Sequence, residues 1–203
     1  MTKGKRAMGQ PVPHEALDIL FRHARTHRRW LDKPVTDELL RAIWDLARLP
    51  PTSANSGPLR VVFVRSADAK EKLRPALSSG NMVQTMSAPV TAVFAYDTLF
   101  HDQLPRLYPA ADARSWFAGN PDLIEETAFR NGTLGAAYFM LAARALGLDV
   151  GPMSGFDRAG VDRVFFSDGR LKSNFLCNLG YGSGEGLRPR APRLDFDEAC
   201  RIE

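Results

Sequence analysis

Ala145-Leu146-Gly147-Leu148-Asp149-Val150-Gly151-Pro152-Met153-Ser154-Gly155-Phe156-Asp157 is the stretch around which the chain is organised. Apolar helical residues run into it, and Gly147 suits the left-handed position just past a helix C-terminus. Gly151 and Gly155 carry no Cβ, so another group can come close to the backbone there. Pro152 offers no N–H and fixes its own φ. The residues therefore read as a helix end followed by a tight loop, with a row of backbone donors at Met153, Ser154 and Gly155. Such a row can hydrogen-bond a flat, heteroatom-rich ring. The same residues also suit a plain connection between two elements, which is the commoner case.

Upstream, Asn120-Pro121 is a helix start, a cap followed by proline at the first helical position. Asp122, Glu125 and Glu126 favour the positive end of that helix. It is expected to run to about Leu146, roughly 40 Å at ~1.5 Å per residue. Residues 132–143 are apolar or small on every face, which predicts burial on all sides. In a chain of 203 residues that points to a second subunit. Residues 97–119 are irregular and rich in aromatics (Phe100, His101, Tyr108, Trp116, Phe117), as lids and binding loops often are.

Strands are expected at residues 60–64, 89–96 and 173–180, and helices at residues 14–25, 67–77, 80–87 and 159–166. A further helix starts at Thr36 as N-cap, with Val35 and Leu40 placed for a hydrophobic staple, and stops before Pro50-Pro51. Thr52-Ser53-Ala54-Asn55-Ser56-Gly57-Pro58 is a loop dense in hydroxyl and amide groups. No repeat or linker divides the chain. It reads as one α+β domain over residues 13–203, behind a polar tail of residues 1–12 expected to be disordered.

Arg25-Thr26-His27-Arg28-Arg29-Trp30-Leu31-Asp32 is either a solvated helix end or a phosphate site. The tail Arg188-Pro189-Arg190-Ala191-Pro192-Arg193-Leu194 is basic and stiffened by proline. Gly180-Tyr181-Gly182-Ser183-Gly184-Glu185-Gly186 fits neither a dinucleotide fingerprint nor a Walker loop and reads as a flexible turn. The formal charge of +4 is too small and dispersed to argue for nucleic acid, though a phosphorylated small ligand could use it. Cys177 reads as a buried core thiol, and no Cys/His spacing suggests a metal. No signal peptide or membrane span is evident, so the expected location is the cytoplasm. His14, His23 and His101 are scattered and read as surface residues rather than catalytic bases.

An arginine-rich N-terminal segment, a Thr-Ser-x-Asn-Ser-x-Pro loop, a long apolar helix ending in Gly-Leu-Asp-x-x-Pro-x-x-Gly-Phe-Asp and a basic tail stand in that order. Over residues 14–193 this resembles the FMN-dependent nitroreductase family. Within the family the chain is most similar to the malonic semialdehyde reductase branch, which forms 3-hydroxypropionate in pyrimidine degradation. The stretches that carry this are Arg25-Thr26-His27, Trp30-Leu31-Asp32-Lys33-Pro34-Val35, Ala111-Asp112-Ala113-Arg114-Ser115-Trp116-Phe117-Ala118-Gly119-Asn120-Pro121, Glu125-Glu126-Thr127-Ala128-Phe129-Arg130-Asn131 and Asn178-Leu179-Gly180-Tyr181-Gly182.

The resemblance implies a nitroreductase-like α+β fold, a mostly antiparallel sheet surrounded by helices, and a homodimer with FMN at each interface. It implies that Arg25, Thr26, His27 and Arg29 hold the phosphate, ribityl chain and pyrimidine edge. Thr52, Ser53 and Asn55 would come from the partner subunit. Asn81 and Gln84 match positions that reach the flavin, although Gln84 replaces the family's usual basic residue. Pro152, Met153, Ser154 and Gly155 match the backbone at flavin N5 and O4. Arg188 and Arg190 match the basic pair on the phosphate, and Arg193 could substitute for one of them. The implied chemistry is hydride transfer from NADH or NADPH through flavin N5 to a small acceptor, with Arg29 as the cation near N1. For malonic semialdehyde, Arg114 or Arg130 would clamp the carboxylate while Trp116 and Phe117 exclude water. Arg114 reads equally as a surface lid charge and Arg130 as an interface ion-pair partner. Two other functions remain open: a broad nitroaromatic or quinone reductase, and an FMN-binding or flavin-processing protein without hydride transfer.

Overall fold

Four strands, β1 (Leu59–Val64), β2 (Val90–Asp97), β3 (Asp149–Met153) and β4 (Leu171–Gly180), form one sheet. Their order is β1-β2-β4-β3, and every adjacent pair is antiparallel. This is the computed structural model of the chain, and it describes residues 9–203. The expectation of a disordered tail falls largely on residues 1–8, outside the described residues. β2 lies inside the sheet with both faces covered, so all of its residues are buried, including the polar Thr91 and Asp97.

Helices cover both faces. α1 (His14–Leu17) leads into a π-turn, and α2 (Asp37–Ala47) and α6 (Pro121–Ala145) lie on one face. Their core joins Leu40, Ile43, Phe139 and Ala143 to Phe94, Val150 and Leu179. Phe139 meets Phe94 edge-on, with ring centroids 5.2 Å apart. α3 (Ala67–Leu73), α4 (Ser79–Ser87) and α7 (Arg158–Phe165) lie on the other face, where Leu73, Val161 and Phe166 pack on Val93 and Leu176. α5 (Leu104–Leu107) belongs to the 97–119 segment, which docks through Phe100, Leu104 and Phe117 onto Tyr96 and Ala128. α8 (Phe196–Ala199) lies near the C-terminus.

The cap residues act as their chemistry predicts. Thr36 Oγ1 accepts from the Leu39 N–H at 3.2 Å, and Asn120 Oδ1 accepts from the Leu123 N–H at 3.1 Å. Val35 and Leu40 share one core. Gly147 has φ +86°, and the next residue, Leu148, donates back to the Ala143 carbonyl at 2.9 Å. Together these form the left-handed stop of α6.

Several expectations change. Residues 149–153 form a strand rather than a loop, paired with β4 from Asp149↔Gly180 to Met153↔Leu176. The helix expected over residues 14–25 ends early, because the His23 N–H bonds to the Asp18 carbonyl and opens a π-turn at Asp18–Arg22. Residues 26–31 then run extended along the sheet edge, with Thr26 bridging Val150 and Trp30 bridging Gly182. The 180–186 segment is pinned there, since Ser183 N donates to the Arg29 carbonyl and Leu31 N to the Tyr181 carbonyl. Within the protomer α6 is not buried on all sides: it buries Ala128, Gly132, Ala136 and Phe139 but exposes Phe129, Leu134 and Tyr138.

Lys70 is a feature that its polar sequence context hides. It is 4% exposed, and its ammonium donates to the Thr85 carbonyl at 2.5 Å, the Ala88 carbonyl at 2.9 Å and Thr91 Oγ1 at 2.9 Å. The Thr91 hydroxyl donates to Asn178 Oδ1, and Asn178 Nδ2 donates to the Gln84 carbonyl. The chain of bonds fastens the end of α4 to the two central strands. All three ammonium protons are used, so the charged group is satisfied although buried.

Burial pulls the Lys70 pKa down to about 8. The unfolded chain therefore binds more protons than the folded one between pH 8 and the ordinary lysine value near 10.5. The Lys70 contribution to stability should rise with pH through that window, by up to about 3 kcal/mol at ~1.36 kcal/mol per pKa unit, against an opposite slope above pH 9 from Cys177 and Tyr96, whose pKa values burial raises to about 12. Urea unfolding of the wild type and Lys70→Met across pH 7–11 checks this: the stability of the wild type relative to Lys70→Met should increase between pH 8 and 10.5, because the Cys177 and Tyr96 slopes are common to both and cancel.

Candidate functional site

β3 is an edge strand, and only part of its free edge is occupied. The His27 N–H donates to the Val150 carbonyl at 3.0 Å, and two residues later Pro152 has no N–H to offer. Past the last ladder pair, Ser154 and Gly155 are exposed. The two glycines serve the protein's own packing. A Cβ at Gly151 would lie 2.5 Å from the His27 carbonyl, and one at Gly155 would lie 2.6 Å from Asn81 Nδ2.

Beside this edge is a cavity of about 490 Å³. Arg25, Arg28, Arg144, Arg188, Arg190 and Arg193 line it with Thr26 and Pro152, and Glu185 is its one acidic residue. The backbone organises these cations. Arg190 Nη2 donates to the carbonyls of Phe21, Arg22 and Ala24 at 2.8 to 2.9 Å. Arg25 Nη1 donates to the carbonyls of Arg22 and Ala24, and Arg144 Nη1 to that of Leu20. The carbonyls freed at the end of the π-turn thus hold three guanidiniums in place. Arg144 is half-buried, and burial is the main cause lowering its pKa from the ordinary arginine value. A desolvated cation of this kind gains from an arriving anion.

The structure brings Arg25, Thr26, Pro152, Arg188, Arg190 and Arg193 together at this cavity. Arg29 lies at its margin, two-thirds exposed, with Nη1 3.6 Å from Glu185. It faces a neighbouring cavity of about 670 Å³ shared with Gln84 and Val83. Asn81 and Gln84 are linked to the β3 edge: Gln84 Nε2 donates to Asn81 Oδ1 at 2.6 Å, and Asn81 Nδ2 to the Gly155 carbonyl at 3.0 Å. The His27 ring is turned into the protein, with Nε2 3.3 Å from Asp149 Oδ1. A Cβ at Gly182 would run into that ring. Met153 is buried, and its sulfur accepts from the Thr85 hydroxyl.

Thr52, Ser53 and Asn55 are elsewhere. Ser53 N donates to Asn131 Oδ1 at 2.9 Å, whereas Arg144 at the cationic cavity is thirteen residues further along α6. At ~1.5 Å per residue the two places are about 20 Å apart along the helix. Arg114 Nη2 is 3.0 Å from Asp102 Oδ1, and exposed Arg130 pairs with Glu126 one turn away. Sequence reasoning included Arg28 only as a member of the basic 25–32 run and did not pick out Arg144. Arg144 was detectable as a lone cation in the last turn of an apolar helix.

A scan against family models matches the nitroreductase family over residues 21–181. A Burkholderia lata protein, named as an NADH dehydrogenase or NAD(P)H nitroreductase, is 62% identical over 188 residues, 93% of this chain and 96% of that one. A solved Bacillus subtilis nitroreductase structure, ydfN, has TM-score 0.81 at 25% identity, covering 91% of this chain and 97% of its own. An Exiguobacterium sibiricum nitroreductase, solved in complex with FMN, has TM-score 0.83 at 20% identity, covering 95% and 99%. Flavin- and NAD(P)H-dependent oxidoreductase activity is typical of the matched family. By the match over residues 21–181 and the 62% identity to its Burkholderia relative, the chain belongs to the nitroreductase family.

Proposed function

We propose that the chain works as a homodimer that binds FMN in the arginine-lined cavity and passes hydride from NADH or NADPH to a small acceptor, malonic semialdehyde in the finest reading. The observation that carries the flavin part is the donor set: six arginines against one glutamate, beside an exposed sheet edge. A phosphate fits the first and a heteroatom-rich ring the second. FMN in the Exiguobacterium structure and the nicotinamide donor in the Burkholderia relative's name support the same assignment.

When bound, FMN supplies the hydride-carrying centre. The protein's task is then binding, orientation and charge. Arg25 and Arg188, with Arg190 and Arg193, would neutralise the phosphate, and Arg's planar fork suits that geometry. The backbone at Ser154 and Gly155 would orient the ring edge, held at the right height by Asn81 and Gln84. Arg29 would supply positive charge beside the ring.

The distance along α6 supports the dimer. One protomer holds the 52–58 loop about 20 Å from its own cationic cavity, so that loop is available to a second copy. The exposed apolar face at Phe129, Leu134 and Tyr138 is where that copy would pack. The acceptor reading rests on the resemblance in residues 111–131. The relative's name favours a second reading, a broader nitroaromatic reductase.

Three outcomes are expected. Arg25→Ala should weaken FMN binding roughly tenfold to a hundredfold, because a charge-assisted hydrogen bond is worth on the order of 1.5–3 kcal/mol. Fluorescence titration checks it; unchanged affinity would return Arg25 to capping the Arg22 and Ala24 carbonyls. Sedimentation of the wild type should give a yellow dimer, and Leu134→Glu a colourless monomer; a stable monomeric wild type that keeps FMN sinks the two-subunit site. NAD(P)H oxidation with malonic semialdehyde beside a nitroaromatic and a quinone separates the acceptor readings, and higher kcat/KM for the semialdehyde is expected.

A further inference from the structure

A second cavity, of about 550 Å³, lies between the 52–58 loop, α5 and the middle of α6. Its charged lining is Arg48, Arg60 and Arg106, without a carboxylate among the described lining residues. Two of these cations are already engaged. Arg60 Nη2 is 2.7 Å from buried Asp97, and Arg48 Nε is 3.2 Å from Asp45. Arg106 has no carboxylate partner among the described residues, and its Nη2 donates only to the neutral Gln103 Oε1, at 3.3 Å. Asn55, Thr52 and Asn131 add amide and hydroxyl groups to the wall, and Trp44, Leu59 and Leu107 add apolar surface.

The backbone that carries exposed Arg106 is fixed. Its helix is tied to the loop by Asn55 Nδ2, which donates to the Leu107 carbonyl at 2.8 Å. Asn55 and, beside it, Ala54 both stand at φ +50°, a left-handed conformation that non-glycine residues seldom adopt. The loop is also held by Ser53 N on Asn131 and by Gly57 N on Thr52 Oγ1. A strained loop, a half-apolar wall and one unneutralised guanidinium thus meet at one cavity.

We propose that this cavity binds a small carboxylate-bearing molecule and that Arg106 supplies the charge that recognises it. A guanidinium accepts a carboxylate through two parallel hydrogen bonds, and a short apolar body then lies against Trp44 and Leu107. Arg114, which sequence pattern alone suggests for this role, is engaged by Asp102. The proposal deepens the acceptor assignment above and rests on it only for the flavin's nearness. If the 52–58 loop reaches the partner's flavin, this cavity opens onto that ring.

Malonate is the probe, titrated by calorimetry and by flavin absorbance into the FMN-loaded protein and into Arg106→Gln, Arg106→Lys and Arg114→Ala, each first checked for folding by circular dichroism. Malonate should bind the wild type, at least tenfold more weakly to Arg106→Gln, with part of the loss recovered in Arg106→Lys. Arg114→Ala should bind like the wild type. A perturbed flavin spectrum on binding supports both the site and its place over the ring. Arg106-dependent heat without a spectral change supports the anion site and overturns the flavin's nearness. Absence of binding, equal binding by Arg106→Gln, or a loss confined to Arg114→Ala overturns the proposal.

Discussion

A short edge strand that can be paired over only part of its length governs the functional end of this molecule. β3 is held on one side by β4, and on the other by a single stretch of extended chain at Thr26 and His27. The stretch can follow no further, because Pro152 has no N–H with which to continue a ladder. Sheet edges are usually covered or blunted. Here the basic 25–29 segment and the basic tail lie beside this edge. Guanidiniums need acceptors, and the π-turn at Asp18–Arg22 leaves carbonyls at Arg22 and Ala24 for them. Edge strand, π-turn and arginine cluster are therefore one arrangement.

α6 sets the second constraint. Its 25 residues span the sheet face, so groups anchored at its middle cannot reach groups anchored at its end. The Ser53 loop is tied to Asn131, and the cationic cavity is bordered by Arg144. Packing inside one protomer enforces that separation. The small residues of α6 make the same point: alanine and glycine let it lie close on β1 and β2, and the larger Phe129, Leu134 and Tyr138 are turned to the outside. An amphipathic helix would place polar residues there.

Local rules were enough for the caps at Thr36 and Asn120, the stop at Gly147 and the three hydrophobic strands, because each depends on residues within a few positions. β3 was hidden for a physical reason. Asp-Val-Gly-Pro-Met has poor β-propensity, and it is a strand only because β4 supplies a partner. The extended 25–32 segment was hidden in the same way, since its pairing partners are more than a hundred residues away. Arg25 stood out in a basic run, and Arg188 and Arg190 in a basic tail stiffened by proline. Arg144 and Arg106 did not, because spatial grouping gives them meaning and spacing does not. Lys70 lay on what reads as a polar helix face, and only the fold turns it inward to the α4 carbonyls.

Net charge illustrates how little a sum tells about a site. A formal charge of +4 in 203 residues is unremarkable. Yet six arginines and one glutamate share one cavity, and three arginines share another. The acids are unevenly shared among them: Asp97 is fully buried between Arg60 and Arg170, and Glu125 is bound to Tyr96 and Lys172. Burying Asp97 between two guanidiniums, with its carboxyl below the ordinary range because Arg170, the Leu99 N–H and Arg60 outweigh desolvation, neutralises charge at the root of the 97–119 segment. It leaves Arg106, nine residues later, with only a neutral amide for company. Partitioning carboxylates into structural pairs is what leaves guanidiniums without acidic partners beside the middle of α6 and at its C-terminal end.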